Sequence, residues 1–237
     1  MSQNQLALKK MIYLVTLTAI SIVLGLFEIP LGLPWLKIDL SEIVILLSVI
    51  IIGPKETFVV ILFRGFFRQF LQGEILILDQ VFGELVAVVA SSTLVLSYLA
   101  IGKLTGRLHK PMLEECIVDN TRMKFKEYLL FIVGMTLALS TVMILLNIFF
   151  ITPIYISIYM YYYPGAAAST LSQFHFSIFT LIKDPGMSNV FGADLSNMSA
   201  YLAYIIGNYA LLNVAKGILT SVIFLPAKER IEKMKII

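Results

Sequence analysis

Two asparagines and one lysine interrupt apolar stretches of this chain: Asn147, Asn213 and Lys216. Polar side chains inside such stretches are costly in a membrane, so they usually face a bundle interior or a wet cavity and often serve function. An amide donates and accepts at once, which suits recognition of a heteroaromatic ring edge. Asn213 and Lys216 are three residues apart and share a helix face. The structural alternatives are an interhelical hydrogen bond for Asn147 and pairing of Lys216 with Glu84 or Asp79.

Two arginines lie four residues apart in another apolar stretch, so Arg64 and Arg68 also share a helix face. They either contact a ligand, extend to the outer interface, or pair with acidic residues. Asp79 and Glu84 can neutralise them, and Gly83 between these acids permits close approach of a helix or a flat ligand. The arginines and acids therefore remain candidates for either role.

A polar group lies at the predicted outer mouth of the protein, where Lys37, Asp39, Ser41 and Glu42 fall within six residues. Asp39 or Ser41 could cap the helix that follows. A gate over a ligand cavity is the functional alternative, and the two roles are compatible.

Motifs of soluble hydrolases and nucleotide-binding enzymes are absent, including GxSxG, HExxH and a phosphate loop with GK[ST]. The two histidines, His109 and His175, fall on opposite predicted sides of the membrane. We therefore expect that the chain is not an enzyme, has no catalytic or metal-ligating residue, needs no cofactor, and does not hydrolyse ATP on its own.

The composition indicates an integral membrane protein. The chain is 59% hydrophobic and only 14% charged, with a mean hydropathy of +0.90, which a water-soluble domain of this size could not bury. The apolar runs are continuous rather than alternating, which favours helices over a barrel. The predicted spans lie near residues 11–27, 42–52, 56–71, 75–101, 128–158 and 205–225.

Basic residues sort to one side of these spans. With the N-terminus in the cytoplasm, thirteen lysines and arginines fall inside and only two outside, which is a strong positive-inside bias. The prediction is an all-α integral membrane protein forming one domain over 1–237, a bundle of six transmembrane helices with both termini cytoplasmic. Residues 102–127 form a cytoplasmic link and residues 159–204 a long outside link. Topology explains the net charge of +3, so nucleic acid is not an expected partner.

Several segments, taken in order, resemble the substrate-binding S components of energy-coupling factor (ECF) vitamin transporters, most closely the riboflavin-specific ones. The matching motifs are Phe27-Glu28-Ile29-Pro30-Leu31, Leu36-Lys37-Ile38-Asp39-Leu40-Ser41-Glu42, Gly53-Pro54, Asp79-x-x-x-Gly83-Glu84, Asn147-x-Phe149 with Pro153 and Tyr155, and Asn213-x-x-Lys216-Gly217. The chain departs from the family pattern at Val44, Arg64-Gly65, Ala87 and Leu211-Leu212.

The resemblance implies a membrane subunit that captures riboflavin outside the cell, with no catalytic role. By motif, the implied substrate-binding residues are Leu36, Ile38, Asp39, Ser41, Gly83, Asn147, Phe149, Tyr155, Asn213 and Lys216. The two aromatic residues would supply apolar or stacking walls.

The resemblance also implies partners in a bacterial plasma membrane: a transmembrane coupling subunit and two ATPase subunits. Small residues on the first span, Val15, Ala19, Ser21 and Gly25, would form the docking surface. The open alternatives are an S component for a pantothenate-, folate- or pyridoxine-type vitamin, a membrane enzyme acting on lipid through Asp39, Glu42 or Asp79, and a membrane anchor subunit.

Overall fold

A computed structural model describes residues 3–27, 29–31, 33–38, 40–72, 77–108, 110–114, 123–162, 171–190 and 192–233. Its chain contacts divide it into two compact units. Unit 1 comprises Met1–Leu139 and Lys216–Ile237, and unit 2 comprises Ser140–Ala215.

Unit 1 begins with four helices: α1 (Gln3–Gly25), α2 (Ser41–Ile51), α3 (Pro54–Gln72) and α4 (Leu78–Leu104). The first packs against α2 and α3, and α3 also packs against α4. Part of the core between them consists of Leu17, Val44, Ile51, Ile52 and Val60. Burial of these aliphatic side chains holds the helices together.

A sharp junction separates α2 from α3. Gly53 has a φ of 109°, a backbone conformation that residues other than glycine rarely adopt. Pro54 then begins α3. Proline has no backbone N–H, but a residue in the first turn of a helix has no intrahelical acceptor for that group, so no hydrogen bond is lost. The Gly53-Pro54 pair thus ends one helix and starts the next without a loop.

The remaining helices of unit 1 come from α5 (Phe125–Leu146) and α9 (Leu211–Lys233). Within the unit, Tyr98 packs edge-on against Phe224 with 5.2 Å between ring centroids. A Cβ added at Gly217 would lie 2.8 Å from the Cα of Thr136. The absence of a side chain at Gly217 therefore permits two helix backbones to approach closely.

A β-hairpin connects α1 to α2. Strands β1 (Ile29–Leu31) and β2 (Leu33–Ile38) are antiparallel, with Ile29 opposite Ile38 and Pro30 opposite Lys37. The register shifts at Leu31, next to the turn. The sequence predicted a nonhelical link here, but not its strand pairing.

In its described residues, unit 2 contains the end of α5 and three π-helical segments: Asn147–Ile151, Ile158–Tyr162 and Ile206–Ala210. Between them lie α6 (Thr152–Ser157), α7 (Ile178–Leu181), a 3₁₀ helix (Pro185–Asn189) and α8 (Met198–Ile205). Pro153 gives a local reason for the first π segment, because its ring displaces the carbonyl four residues earlier. The predicted span 128–158 is therefore helical but not uniformly α-helical.

Four helical segments in the described part of the chain are long and apolar enough to cross a membrane: Gln3–Gly25, Leu78–Leu104, Phe125–Met160 and Met198–Lys233. The 11-residue α2 is too short, and α3 carries Lys55, Glu56, Arg64 and Arg68. The six-span count and the cytoplasmic termini stay predictions. Helix α1 begins eight residues before the predicted first span, and the helical segment that covers the predicted last span begins at Met198, within the predicted outside link 159–204.

Candidate ligand-binding site

Lys216 lies in a buried ion pair of unit 1. Its Nζ donates to Oε1 of Glu42 at 3.1 Å, and the two residues are 9% and 1% exposed. The sequence interpretation offered Glu84 or Asp79 as the structural partner and placed Glu42 at the outer mouth. The first turn of α2 thus supplies a carboxylate that was not expected beside this lysine.

Arg64 extends the same group. Its side chain is 0% exposed, and Nη1 donates to the hydroxyl of Ser41 at 2.6 Å while lying 3.9 Å from Oε1 of Glu42. We call Ser41, Glu42, Arg64 and Lys216 the Glu42 cluster. One carboxylate oxygen, Oε1 of Glu42, faces two cationic side chains, and this geometry fixes the position of the carboxylate.

Three polar atoms of the Glu42 cluster have no hydrogen-bond partner among the described residues: Nε and Nη2 of Arg64 and Oε2 of Glu42. A buried donor or acceptor without a partner destabilises the folded state by the full free-energy cost of its desolvation. These atoms are therefore buried hydrogen-bonding groups that the described residues leave unused, two of them donors and one an acceptor.

The helix-capping alternative for Ser41 does not hold. The residue at the N-cap of α2 is Leu40, and it makes no side-chain cap hydrogen bond. Ser41 is fully buried and accepts the hydrogen bond of Arg64. Asp39, the other capping candidate, lies outside the described residues.

Arg68 pairs with Glu84, and its Nη1 donates to the carbonyl oxygen of Gly25 at 3.0 Å. Arg68 is 8% exposed, so it does not extend to the outer interface. This pairing of an arginine on α3 with an acid on α4 is the structural role that the sequence offered for both residues.

The predicted docking surface on α1 needs a correction. Val15 is 61% exposed and Ala19 is exposed. Ser21 and Gly25 are buried inside unit 1, and Gly25 lies against Arg68 and Ser41. Since no partner can reach these two, we remove Ser21 and Gly25 from the docking surface.

Asn147 begins the first π segment of unit 2 and is 3% exposed. Its Nδ2 donates to the carbonyl of Met143 at 2.7 Å, and its Oδ1 accepts from Thr152 at 3.2 Å. Tyr201 donates to the neighbouring carbonyl of Ile148. These bonds within unit 2 use one donor and one acceptor position of the amide and leave a second of each.

The other predicted residues of unit 2 differ in their surroundings. Asn213 is 4% exposed, and its Nδ2 has no partner among the described residues. Tyr155 is buried, whereas Phe149 is 37% exposed and packs against Phe179 with 6.1 Å between centroids. Asn213 is the residue of this group with an unused buried donor.

Three further predicted residues belong to unit 1. Gly83 is half-buried in the second turn of α4. Leu36 and Ile38 lie in strand β2, where the structure describes the backbone. The predicted first-loop residues Leu36 and Ile38 therefore belong to a hairpin strand that directly precedes helix α2.

A buried His–Asp pair in the outside link was missed by the sequence reasoning. Nε2 of His175 lies 3.0 Å from Oδ2 of Asp184, and the same oxygen accepts from Ser172. Oδ1 of Asp184 accepts from the backbone of Gly186 at 2.9 Å. Burial raises the pKa of Asp184, but these donated hydrogen bonds outweigh it and lower the pKa to about 2. The turn sequence Asp184-Pro185-Gly186 was the available signal.

This pair is not arranged for nucleophilic catalysis. Ser172 and His175 both contact the same carboxylate oxygen, whereas a nucleophile must contact the base that takes its proton. His175 is also only 2% exposed. The pair instead fastens residues 172–186 of the outside link, and it does not favour a lipid-processing enzyme.

Comparisons with known proteins identify the fold. No protein-family model matches the sequence, and no curated protein matches it. A solved structure, the S component of a bacterial ECF transporter, superposes with a TM-score of 0.56 over 97% of this chain and 96% of its own, at 18% sequence identity. The chain has the fold of an ECF transporter S component. This S-component fold agrees with the predicted class of helical membrane protein.

Proposed function

We propose that this protein is the substrate-binding membrane subunit of an ECF-type transporter and that it captures riboflavin. The observation that supports this most strongly is the S-component fold over 97% of the chain. The ordered motifs that resemble the riboflavin-specific S components support the choice of vitamin, since the fold alone does not select one.

The proposed ligand contacts follow the motifs. They are the residues that match the riboflavin-specific pattern: Leu36, Ile38, Asp39, Ser41, Gly83, Asn147, Phe149, Tyr155, Asn213 and Lys216. The isoalloxazine ring presents carbonyl and imide groups, which amide and ammonium groups satisfy. The unused Nδ2 of buried Asn213 supports its place in this set.

Transport would proceed by binding beneath the first loop, reorientation of the whole subunit in the bilayer, and release into the cytoplasm. A coupling subunit and two ATPase subunits would drive this cycle, because the sequence has no nucleotide-binding motif of its own. Val15 and Ala19, exposed one helical turn apart on α1, would contact the coupling subunit.

The test is a riboflavin titration of the detergent-purified protein, followed by quenching of flavin fluorescence, with Asn213→Ala and Lys216→Ala in parallel. We expect saturable quenching, weakened by both variants. Lys228→Ala is the matched control, because Lys228 is also buried on α9 and pairs with Glu232. It lies 12 residues from Lys216, about 18 Å along a helix.

The possible results separate ligand from site. Quenching that Asn213→Ala and Lys216→Ala leave intact would keep the ligand and reject these residues. A folded sample that does not quench riboflavin would reject riboflavin and leave pantothenate, folate or pyridoxine to be tried in the same assay.

A further inference from the structure

Two charged residues of the Glu42 cluster, Arg64 and Glu42, are not among the residues that the resemblance assigns to the ligand. Arg64 is a position at which the sequence departs from the pattern of the riboflavin-specific S components that it resembles. Its guanidinium is fully buried, and its Nε and Nη2 are unpaired among the described residues. Oε2 of Glu42, in the same cluster, is an unpaired buried acceptor.

The two free donors of Arg64 act as one unit. A guanidinium is planar, so its Nε–H and Nη2–H lie on one edge and point in the same direction. The opposite nitrogen, Nη1, is fixed by the hydroxyl of Ser41 at 2.6 Å. Arg64 therefore presents a two-donor fork whose orientation is set by the protein before any ligand arrives.

Glu42 is held in the same way. Its Oε1 accepts from Lys216 at 3.1 Å and lies 3.9 Å from Nη1 of Arg64. Both contacts use Oε1, and Oε2 is left as an acceptor without a partner among the described residues. The cluster thus offers two donors on Arg64 and one acceptor on Glu42.

One edge of the flavin ring has the complementary order of groups. N1 and the C2 carbonyl oxygen are adjacent acceptors, and the next ring atom, N3–H, is a donor. Resting on the proposed function, we propose that Arg64 and Glu42 are specificity-determining residues that recognise this pyrimidine edge. Arg64 donates to N1 and the C2 oxygen, and Glu42 accepts from N3–H.

This pairing explains why two fully buried charged residues are tolerated together. A buried ion is destabilising unless its remaining hydrogen-bonding groups are satisfied. Ligand binding satisfies the fork of Arg64 and the free oxygen of Glu42 in one step. A purely structural arginine would gain nothing from a ligand with this order of acceptors and donor.

The first measurement needs no variant. Riboflavin, 1-deazariboflavin and N3-methylriboflavin are titrated against the wild-type protein. The first analogue replaces the N1 acceptor with C–H, and the second removes the N3–H donor. We expect each analogue to bind at least about tenfold more weakly, which corresponds to about 1.4 kcal/mol. Equal affinity for all three flavins would overturn the proposal.

The second measurement is a thermodynamic cycle that combines the variant Arg64→Lys with the ligand analogue 1-deazariboflavin. Lysine keeps the positive charge but loses the planar fork. We expect Arg64→Lys to weaken riboflavin binding about tenfold or more, and to bind riboflavin and 1-deazariboflavin almost equally, because the contact to N1 is already lost. An unchanged preference for riboflavin over 1-deazariboflavin in Arg64→Lys would contradict a direct contact.

Arg68→Lys is the matched control, because Arg68 is a buried arginine one turn away that is engaged with Glu84 and Gly25. We expect it to keep the wild-type preference for riboflavin over both analogues. Loss of that preference in Arg68→Lys as well would show an indirect effect of helix α3 and would reject the specific role of Arg64.

Glu42→Gln tests the acceptor. It should reduce the discrimination against N3-methylriboflavin while leaving the discrimination against 1-deazariboflavin in place. The opposite pattern would contradict the assignment. Failure of the wild-type protein to bind riboflavin at all would instead reject the proposed function, so the two failures are distinguishable.

Discussion

At the scale of single residues, four charged side chains that the sequence places inside apolar stretches are buried in the structure. Arg64, Arg68, Glu84 and Lys216 are all less than 10% exposed. Each has at least one polar contact in unit 1, which offsets part of the cost of its burial.

Removing one partner of the pair between Arg68 and Glu84 should lower the unfolding free energy more than replacing both partners with apolar residues. Arg68→Met leaves the carboxylate of Glu84 buried without this cation, and we expect a loss of about 3 kcal/mol in unfolding free energy. The double variant Arg68→Met with Glu84→Leu should recover most of that loss. Denaturant unfolding in detergent would measure both, and a double variant no better than the single one would contradict this.

Stability of the outside link should depend on pH through Asp184. Its pKa is lowered from its ordinary value near 3.8 to about 2 in the folded protein. The ionised carboxylate of Asp184 therefore contributes about 2 kcal/mol to the free energy of unfolding above about pH 4. This contribution is lost as the pH falls toward 2. Hydrogen exchange of residues 172–186 between pH 5 and pH 2 would show it. Asp184→Asn should remove most of the pH dependence; a variant with unchanged dependence would exclude Asp184 as its source.

Residue types predicted which side chains matter, but not their partners. Lys216 was expected to need an acceptor, and it has one in Glu42, 174 residues away along the chain. A single sequence reports that a buried lysine needs compensation, but it does not report which distant helix provides it. The same limit applies to Arg64 and Ser41.

At the scale of elements, hydropathy predicted the helices well because long apolar runs are a strong signal. Boundaries differed where polar residues extend a helix beyond its apolar part, as at Gln3 and Lys233. The hairpin of β1 and β2 was missed because strands of three and six residues, each containing a proline, give little periodicity. The π segments were missed because one extra residue per turn hardly changes the apolar pattern.

Helix packing at Gly217 gives a prediction at this scale. Gly217→Ala places a Cβ 2.8 Å from the Cα of Thr136, so a backbone must move. We expect a loss of about 1–3 kcal/mol in unfolding free energy. Gly207→Ala is the control, because a Cβ at Gly207 meets nothing within 4 Å. Equal effects of the two substitutions on thermal stability would contradict close packing at Gly217.

At the scale of the whole molecule, the structure superposes on an S component over nearly the full chain, although the sequence identity is only 18%. Fold is retained because apolar spans tolerate exchange of one aliphatic residue for another. Ligand choice depends on a few polar atoms, which is why vitamin identity is a proposal and the fold is an observation.

Docking to a coupling subunit can be separated from ligand binding. Ala19→Trp enlarges the exposed face of α1, and we expect it to abolish assembly with the coupling and ATPase subunits while leaving riboflavin affinity unchanged. Leu137→Trp, at a position 60% exposed on α5, is the control. Co-purification of the assembled transporter would report the outcome, and normal assembly of Ala19→Trp would place the docking surface elsewhere.

The central claim is capture of riboflavin, and equilibrium dialysis of the purified protein against a mixture of riboflavin, pantothenate, folate and pyridoxine tests it most directly. We predict that riboflavin alone is concentrated on the protein side, at about one molecule per chain. Concentration of another vitamin would keep the S-component function and contradict riboflavin, and enrichment of none by a folded sample would contradict vitamin capture itself.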